Sequence, residues 1–119
     1  MLIILFTVSA VPYVTIGCFK DQDGIRAIST LEGIDSILDG SYSSRADAIN
    51  KCYKAAKERG FHMFSLQNGG WCASSASAVQ TFDKYGKSST CKVDGKGGWW
   101  SGQVYIIKGK GKRAQVQLA

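Results

Sequence analysis

Residues 44–72 read SRADAINKCYKAAKERGFHMFSLQNGGWC, and they hold the clearest helical pattern of the chain and the strand pattern that follows it. Apolar residues recur there at the i, i+3, i+4, i+7 spacing of one helical face: Ile49, Cys52, Tyr53 and Ala56. Ser44 is a favourable N-cap, Asp47 three residues later fits a capping box, and Gly60 can supply a left-handed C-terminal residue. We therefore predict a helix over about 44–59.

Strands are predicted on both sides of this helix. Residues 13–19 (YVTIGCF) are rich in β-branched and aromatic residues, and Val14, Ile16 and Cys18 alternate as in a half-buried strand. Residues 61–67 (FHMFSLQ) form a second strand, which Gly69-Gly70 ends. Two further elements are predicted, a short helical turn and a closing strand, within 74–85 and 103–108 respectively. We find no internal repeat and no linker, which indicates a single domain.

Four cysteines, at positions 18, 52, 72 and 91, form no C-x-x-C pair, so zinc-finger and thioredoxin-type spacings are absent. An even number in a short chain is typical of two disulfides in an oxidising compartment; buried free thiols in a cytosolic protein are the alternative. Cys52 lies on the apolar helical face and Cys72 just beyond the strand that packs on it. We favour Cys52–Cys72, which leaves Cys18–Cys91, among three connectivities. In the chain-entropy model, Cys52–Cys72 stabilises the folded state by about 3 kcal/mol and Cys18–Cys91 by about 4 kcal/mol.

The net charge of +6 is concentrated in the C-terminal third of the chain. Residues 84–119 hold eight basic groups against Asp94 alone, whereas residues 1–83 hold seven basic and eight acidic groups. Gly and Lys alternate near the end, so we interpret residues 108–119 as a flexible basic tail. Four lysines also fall in a polar loop, the lysine loop, at residues 84–96.

The first residues indicate secretion. Residues 1–12 are mostly large and apolar, with a small-residue cleavage pattern at Val8-Ser9-Ala10, so we interpret them as a short or truncated signal segment. A buried N-terminal strand is the alternative. No apolar run reaches the roughly 18 residues that a transmembrane helix requires. We expect a secreted, extracellular protein without a transmembrane segment.

Several motifs occur in the order in which WSC-type domains carry them: GCFKD at 17–21 with RAI at 26–28, the helix bearing Cys52, LQNGGWC at 66–72, and QVYI at 103–106. Over residues 13–107 the chain resembles WSC-like and PAN/apple-like extracellular modules of secreted multidomain proteins of marine invertebrates. It has four cysteines, where WSC domains usually have eight. The resemblance implies an α+β domain, with a small antiparallel sheet packed on one main helix, that binds carbohydrate or matrix glycoprotein without catalysis.

An aromatic and amide cluster is the best candidate for a binding site. Residues 67–71 (QNGGW) and 97–102 (GGWWSG) place three tryptophans in Gly-flanked loops. Indole rings can stack on the apolar face of a sugar while side-chain amides bond its hydroxyls. Residues 85–87 (YGK) also resemble these extracellular modules, and with them the cluster predicts seven ligand-binding residues: Gln67, Asn68, Trp71, Tyr85, Lys87, Trp99 and Trp100. Alternatively the tryptophans are structural and Asn68-Gly69 is a tight turn; we expect at least one tryptophan in the core.

Catalysis and metal binding are not predicted. His62 is the only histidine and lies inside a predicted strand, while all four cysteines are assigned to bridges. Asp21 and Glu32 have the spacing of a calcium loop, but Arg26 stands where such a loop needs glycine. We predict a protein that is not an enzyme and that needs no metal or cofactor.

Three functions of different classes are compatible with the sequence. The first is a secreted, lectin-like module that binds a glycan or glycoprotein. The second is an extracellular matrix or adhesion module whose tryptophans are structural. The third is a cationic defence protein that acts on anionic surfaces through its tail and the lysine loop. No nucleic-acid partner is predicted, because there is no recognised motif and no basic helix face; the oligomeric state stays open.

Overall fold

The computed structural model describes residues 11–109, so the predicted signal segment up to residue 10 and the tail from residue 110 lie outside the described residues. Residues 11–109 contain four strands, two helices and two 3-10 turns. In chain order these elements are β1 (Tyr13–Lys20), the 3-10 turns at Ser36–Leu38 and Tyr42–Ser44, α1 (Ala48–Glu58), β2 (Met63–Gln67), β3 (Trp71–Ser74), the one-turn α2 (Ala78–Thr81) and β4 (Ser101–Ile107). Within this described part, no helix has the length and apolar character needed to cross a bilayer.

The four strands form one antiparallel sheet in the order β1-β4-β2-β3, and α1 packs against β2 and β3. The predicted α+β fold, with a small antiparallel sheet on one main helix, is therefore confirmed. β3 was not predicted, because its four residues directly follow a glycine turn. Its outer edge is covered by the segment 29–31, where the Leu31 N–H donates to the Cys72 carbonyl at 3.0 Å.

The core has two parts because the central strand β2 is buried on both faces. Phe64 and Leu66 point toward α1, where they pack against Tyr53 and Tyr105. Met63 lies on the opposite face in a second cluster. Burial on both faces explains why apolar residues follow one another at Met63 and Phe64 instead of alternating strictly with polar ones.

Both predicted disulfides are present. Cys52–Cys72 ties α1 to β3 across a sequence separation of 20, and both residues are fully buried. Cys18–Cys91 ties β1 to the lysine loop across a separation of 73. The two bridges therefore hold the helix on the sheet and the long C-terminal loop on the first strand.

The helix begins four residues later than predicted. Ser44 belongs to a 3-10 turn, and Asp47 precedes Ala48 in a left-handed conformation (φ 54°) without a side-chain capping bond, so the predicted capping box is wrong. The reason is Arg45, whose buried guanidinium donates to Glu32 and to the Gly70 carbonyl and so keeps this segment out of the helix. The helix end agrees with the prediction.

Gly60 ends α1 at φ 75°, the left-handed conformation expected of it. Its N–H donates to the Lys57 carbonyl and the Phe61 N–H donates to the Ala56 carbonyl, which is the Schellman pattern. This turn directs the chain from the helix straight into β2.

Candidate functional site

Five of the seven predicted ligand-binding residues line one shallow cleft beside the β2–β3 turn, and two further residues complete it. The lining comprises Gln67, Asn68, Trp71, Trp99 and Trp100, together with Arg26 and Tyr42. The cavity volume is about 100 Å³. We call this site the tryptophan cleft.

The turn after β2 forms one wall of the cleft. Asn68 (φ 52°) and Gly69 (φ 98°) both adopt the left-handed conformation that Asn and Gly tolerate best. They allow β2 to reverse into β3, with Gln67 paired to Trp71. Asn68 is thereby both a turn residue, as the alternative interpretation held, and an exposed polar group on the cleft.

The loop before β4 forms the opposite wall. Gly97 and Gly98 are buried so closely against neighbouring backbone that a Cβ atom would collide with the Leu66 and Thr90 carbonyls, respectively. Trp100 has a left-handed backbone (φ 56°), which is rare for a bulky residue. The Asp21 N–H donates a hydrogen bond to the Trp100 carbonyl at 3.0 Å and holds this conformation. Conformations of this kind concentrate at functional sites.

Arg26 lies between two of the tryptophans. Its guanidinium carbon is 4.3 Å from the Trp71 ring centroid and 4.5 Å from the Trp100 ring centroid, so one cation contacts two aromatic rings. Each contact contributes about 0.5–2 kcal/mol, depending on how far the pair is desolvated. The stack fixes both rings in place and joins three distant parts of the chain.

Trp99 forms the exposed rim of the cleft. The residue is 71% exposed, and its ring meets Trp100 edge-on, with 6.3 Å between the ring centroids. Trp71 and Trp100 are partly buried, and Trp71 packs against the second core cluster. None of the three tryptophans is among the fully buried core residues.

A buried carboxylate holds Arg26 from behind. Asp21 accepts hydrogen bonds from Arg26 at 2.8 Å, from the Ala27 N–H at 2.8 Å and from the Gln67 amide at 2.6 Å. Desolvation acts to raise the pKa of Asp21, but these hydrogen bonds and one from the Gln22 N–H outweigh it. The pKa of Asp21 is therefore lowered below its ordinary value of 3.8, and the carboxylate stays charged.

This lowered pKa makes the site acid-sensitive. A group whose pKa is depressed by folding stabilises the protein above its unfolded pKa and loses that contribution as pH falls through its folded pKa. We expect the free energy of unfolding to fall below about pH 4, and to fall less steeply in Asp21→Asn. Urea denaturation between pH 2 and 7 measures both slopes.

Asp35 provides the matched control for this prediction. Its pKa is also lowered, first by the Ile37 N–H and then by Arg59, but it lies away from the tryptophan cleft. Asp35→Asn should flatten the acid limb without changing tryptophan fluorescence, whereas Asp21→Asn should alter both. Equal acid slopes in wild type and Asp21→Asn would contradict the role given to Asp21.

Two of the predicted ligand-binding residues lie outside the tryptophan cleft. The Tyr85 hydroxyl donates to the Ile25 carbonyl at 2.6 Å, and Lys87 pairs with Phe19 at the edge of β1. Gln67 does line the cleft but is 94% buried, and its amide nitrogen is used by Asp21. The structure therefore gives Gln67 a supporting position and leaves Asn68 as the exposed amide.

Sequence reasoning missed Arg26, Tyr42 and Asp21 as parts of this site. Tyr42 enters the cleft only because the 3-10 turn at Tyr42–Ser44 packs on β3 and on buried Gly70. Asp21 and Arg26 belong to the motifs at 17–21 and 26–28. Their opposite charges, five residues apart, were the sequence feature that could have indicated an ion pair. Nothing in that signal indicated that tryptophans far along the chain would enclose the pair.

The residues considered for catalysis and for metal binding do not converge on the cleft. His62 precedes β2 instead of lying inside it. The rise of the strand places it about 16 Å from Gln67, at the opposite end of β2 from the cleft. Asp21 and Glu32 each pair with a different arginine. Among residues 11–109, no three His, Cys, Asp or Glu side chains are grouped so that they could hold a metal ion.

Comparison with known proteins adds no family assignment. No protein-family model matches this chain, and no curated protein sequence matches it significantly.

Proposed function

We propose that this protein is a secreted, non-catalytic, lectin-like module that binds a glycan or a glycoprotein at the tryptophan cleft. The observation that carries the proposal is the exposed Trp99 ring beside the Trp71–Arg26–Trp100 stack. An exposed aromatic surface rimmed by polar groups is typical of a ligand-binding site, and rigid aromatic surfaces with a few polar groups suit sugar rings.

The dimensions of the cleft favour a small recognition element. Pockets for drug-sized ligands measure roughly 300–1,000 Å³, and this cleft is well below that range at about 100 Å³. One sugar ring on Trp99, with hydroxyls directed at Asn68 and Tyr42, fits such a site. The rest of a glycan chain would extend over the surface, so we expect weak binding by a single domain.

Secretion is part of the proposal. Two disulfides within 119 residues are typical of proteins from oxidising compartments, where a small core needs covalent support. The resemblance of the opening, middle and closing motifs to WSC-like and PAN/apple-like modules points in the same direction. An extracellular adhesion module that contacts a protein surface through the same aromatic cleft is the second candidate.

A glycan array probed with wild type and two variants tests this proposal. Trp99→Ala should reduce binding at least tenfold, because it removes the stacking surface while leaving the buried core intact. Ile34→Ala is the matched control, since it removes another exposed apolar side chain that lies outside the cleft. Wild type that binds no glycan, or a Trp99→Ala protein that binds as wild type does, would contradict the proposal.

The same array distinguishes the cationic defence function, in which binding depends on the basic tail. Binding driven by the basic tail should vanish when residues 109–119 of that segment are deleted, and it should weaken steeply above about 0.3 M salt. We expect binding at the tryptophan cleft to survive the deletion. Loss of binding with the tail, without any effect of Trp99→Ala, would favour the cationic defence function.

A further inference from the structure

We propose that the sugar bound at the tryptophan cleft is acidic, and that the outer edge of the Arg26 guanidinium binds its carboxylate or sulfate group. This inference rests on the proposed function and narrows its ligand class. A carboxylate and a sulfate are both oxyanions that a pyranose ring can carry. Each presents paired oxygens that a planar guanidinium can bind through two N–H groups.

The hydrogen-bonding capacity of Arg26 is largely unused. A guanidinium carries five N–H donors. Among the described residues, Arg26 makes one side-chain hydrogen bond, from one terminal nitrogen to Asp21. The Trp71 and Trp100 ring centroids both lie within 4.5 Å of its guanidinium carbon, yet 29% of the side chain is exposed. Four N–H donors therefore have no protein partner among the described residues and remain for a ligand that approaches the exposed part of the side chain.

The charge distribution presents the exposed part of Arg26 as positive. The Asp21 side chain is only 2% exposed and lies behind Arg26, so a ligand meets the cation and not its counterion. Among the described residues that line the cleft, Arg26 is the only charged one and none carries a carboxylate. A site for a neutral sugar would gain little from a charged group placed in this way.

The arginine is also held rigidly before any ligand arrives. Two aromatic rings fix its plane, and Asp21, itself bonded by the Ala27 N–H and by Gln67, fixes its rotation within that plane. Binding then immobilises no long side chain, so the loss of side-chain entropy that usually opposes association is small. The stacked rings and the charged edge are adjacent, as a ring bearing an oxyanion requires.

Matched pairs of sugars test this inference on the wild-type protein. Calorimetric or fluorescence titrations would compare methyl glucuronide with methyl glucoside, and galactose 6-sulfate with galactose, at 0.15 M salt. We expect one or both acidic members to bind at least tenfold more tightly than their neutral partners. The two pairs separate a carboxylate from a sulfate source. Equal binding within both pairs would overturn the inference while leaving the proposed function intact, and no binding to any of the four would overturn both.

Two charge variants separate recognition by Arg26 from general attraction. Arg26→Lys keeps a positive charge but loses the planar pair of donors, so the preference for the acidic sugar should fall at least fivefold. Lys54→Gln removes one positive charge from an exposed position on α1 and should leave that preference unchanged. An Arg26→Lys protein with the full preference, or an equal loss in Lys54→Gln, would contradict the inference. If Arg26→Lys does not fold, the matched sugar pairs still decide.

Discussion

Replacing Cys52 and Cys72 together with alanine is expected to lower the free energy of unfolding by about 5 kcal/mol. Chain entropy accounts for about 3 kcal/mol, given the sequence separation of 20. Both residues are fully buried, so each lost sulfur should add about 1 kcal/mol through lost apolar contact and an unfilled cavity. This loss approaches the whole stability of a small domain. Urea denaturation followed by circular dichroism measures it.

The Cys18 and Cys91 pair is the matched comparison. Because its sequence separation is 73, chain entropy predicts that this bridge adds about 4 kcal/mol to the free energy of unfolding. Both residues are only partly buried, so their replacement leaves little cavity. We expect this variant to keep α1 packed on the sheet and to loosen the lysine loop. A loss under 2 kcal/mol in the Cys52/Cys72 variant would contradict the central place given to that bridge.

Gly97→Ala is expected to destabilise the protein by about 2–5 kcal/mol and to abolish binding at the tryptophan cleft. Two effects add here: an alanine at φ 76° resists the left-handed backbone by about 1–2 kcal/mol, and its Cβ would enter space held by the Leu66 and Ser101 carbonyls, which overpacks the site by about 1–3 kcal/mol. The loop that carries Trp99 and Trp100 must shift to accept it.

Gly86→Ala isolates the first of these effects. Gly86 has a similar backbone (φ 87°), but a Cβ there meets no atom within 4 Å. It should cost about 1–2 kcal/mol and leave glycan binding unchanged. Thermal denaturation and the glycan array measure both properties. Equal losses of stability in the two variants would show that close packing at Gly97 does not shape the cleft.

The elements that could be predicted from the sequence are those with a strong local signal. The apolar face of α1 was correct because Cys52, Tyr53 and Ala56 repeat at helical spacing, and all three are buried. The start of α1 was wrong because Arg45 is drawn into contacts with Glu32 and Gly70, which no local pattern reveals. Long-range hydrogen bonds there override a good capping sequence.

The alternation of apolar residues in β1 predicted the wrong side chains for the inward face of the strand. Val14 and Ile16 alternate as buried residues would, yet both are exposed, and Tyr13 instead packs against Tyr53, Phe64 and Tyr105. The register with β4 shifts between Thr15 and Gly17, so one residue is inserted in the strand. A bulge of this kind changes which side chains face the core, and alternation alone cannot locate it.

For the candidate site, composition identified the tryptophans but not what arranges them. Gly-flanked loops predicted that Trp71, Trp99 and Trp100 could lie at the surface, and the structure brings them together. Their arrangement depends on Arg26, which contacts two of the rings from a distant part of the chain. Such a stack leaves no periodic signal in the sequence, so only the fold reveals it.

Sugar binding at the tryptophan cleft is measured at the cleft itself by the indole N–H resonances of the protein. The chain has three tryptophans, all of which line the cleft, so the nitrogen–proton spectrum should contain three indole signals. Titration with the best ligand from the glycan array should shift all three in a saturable manner, while the backbone amides of α1 remain in place. Saturable binding that leaves the three indole signals unmoved would contradict the account.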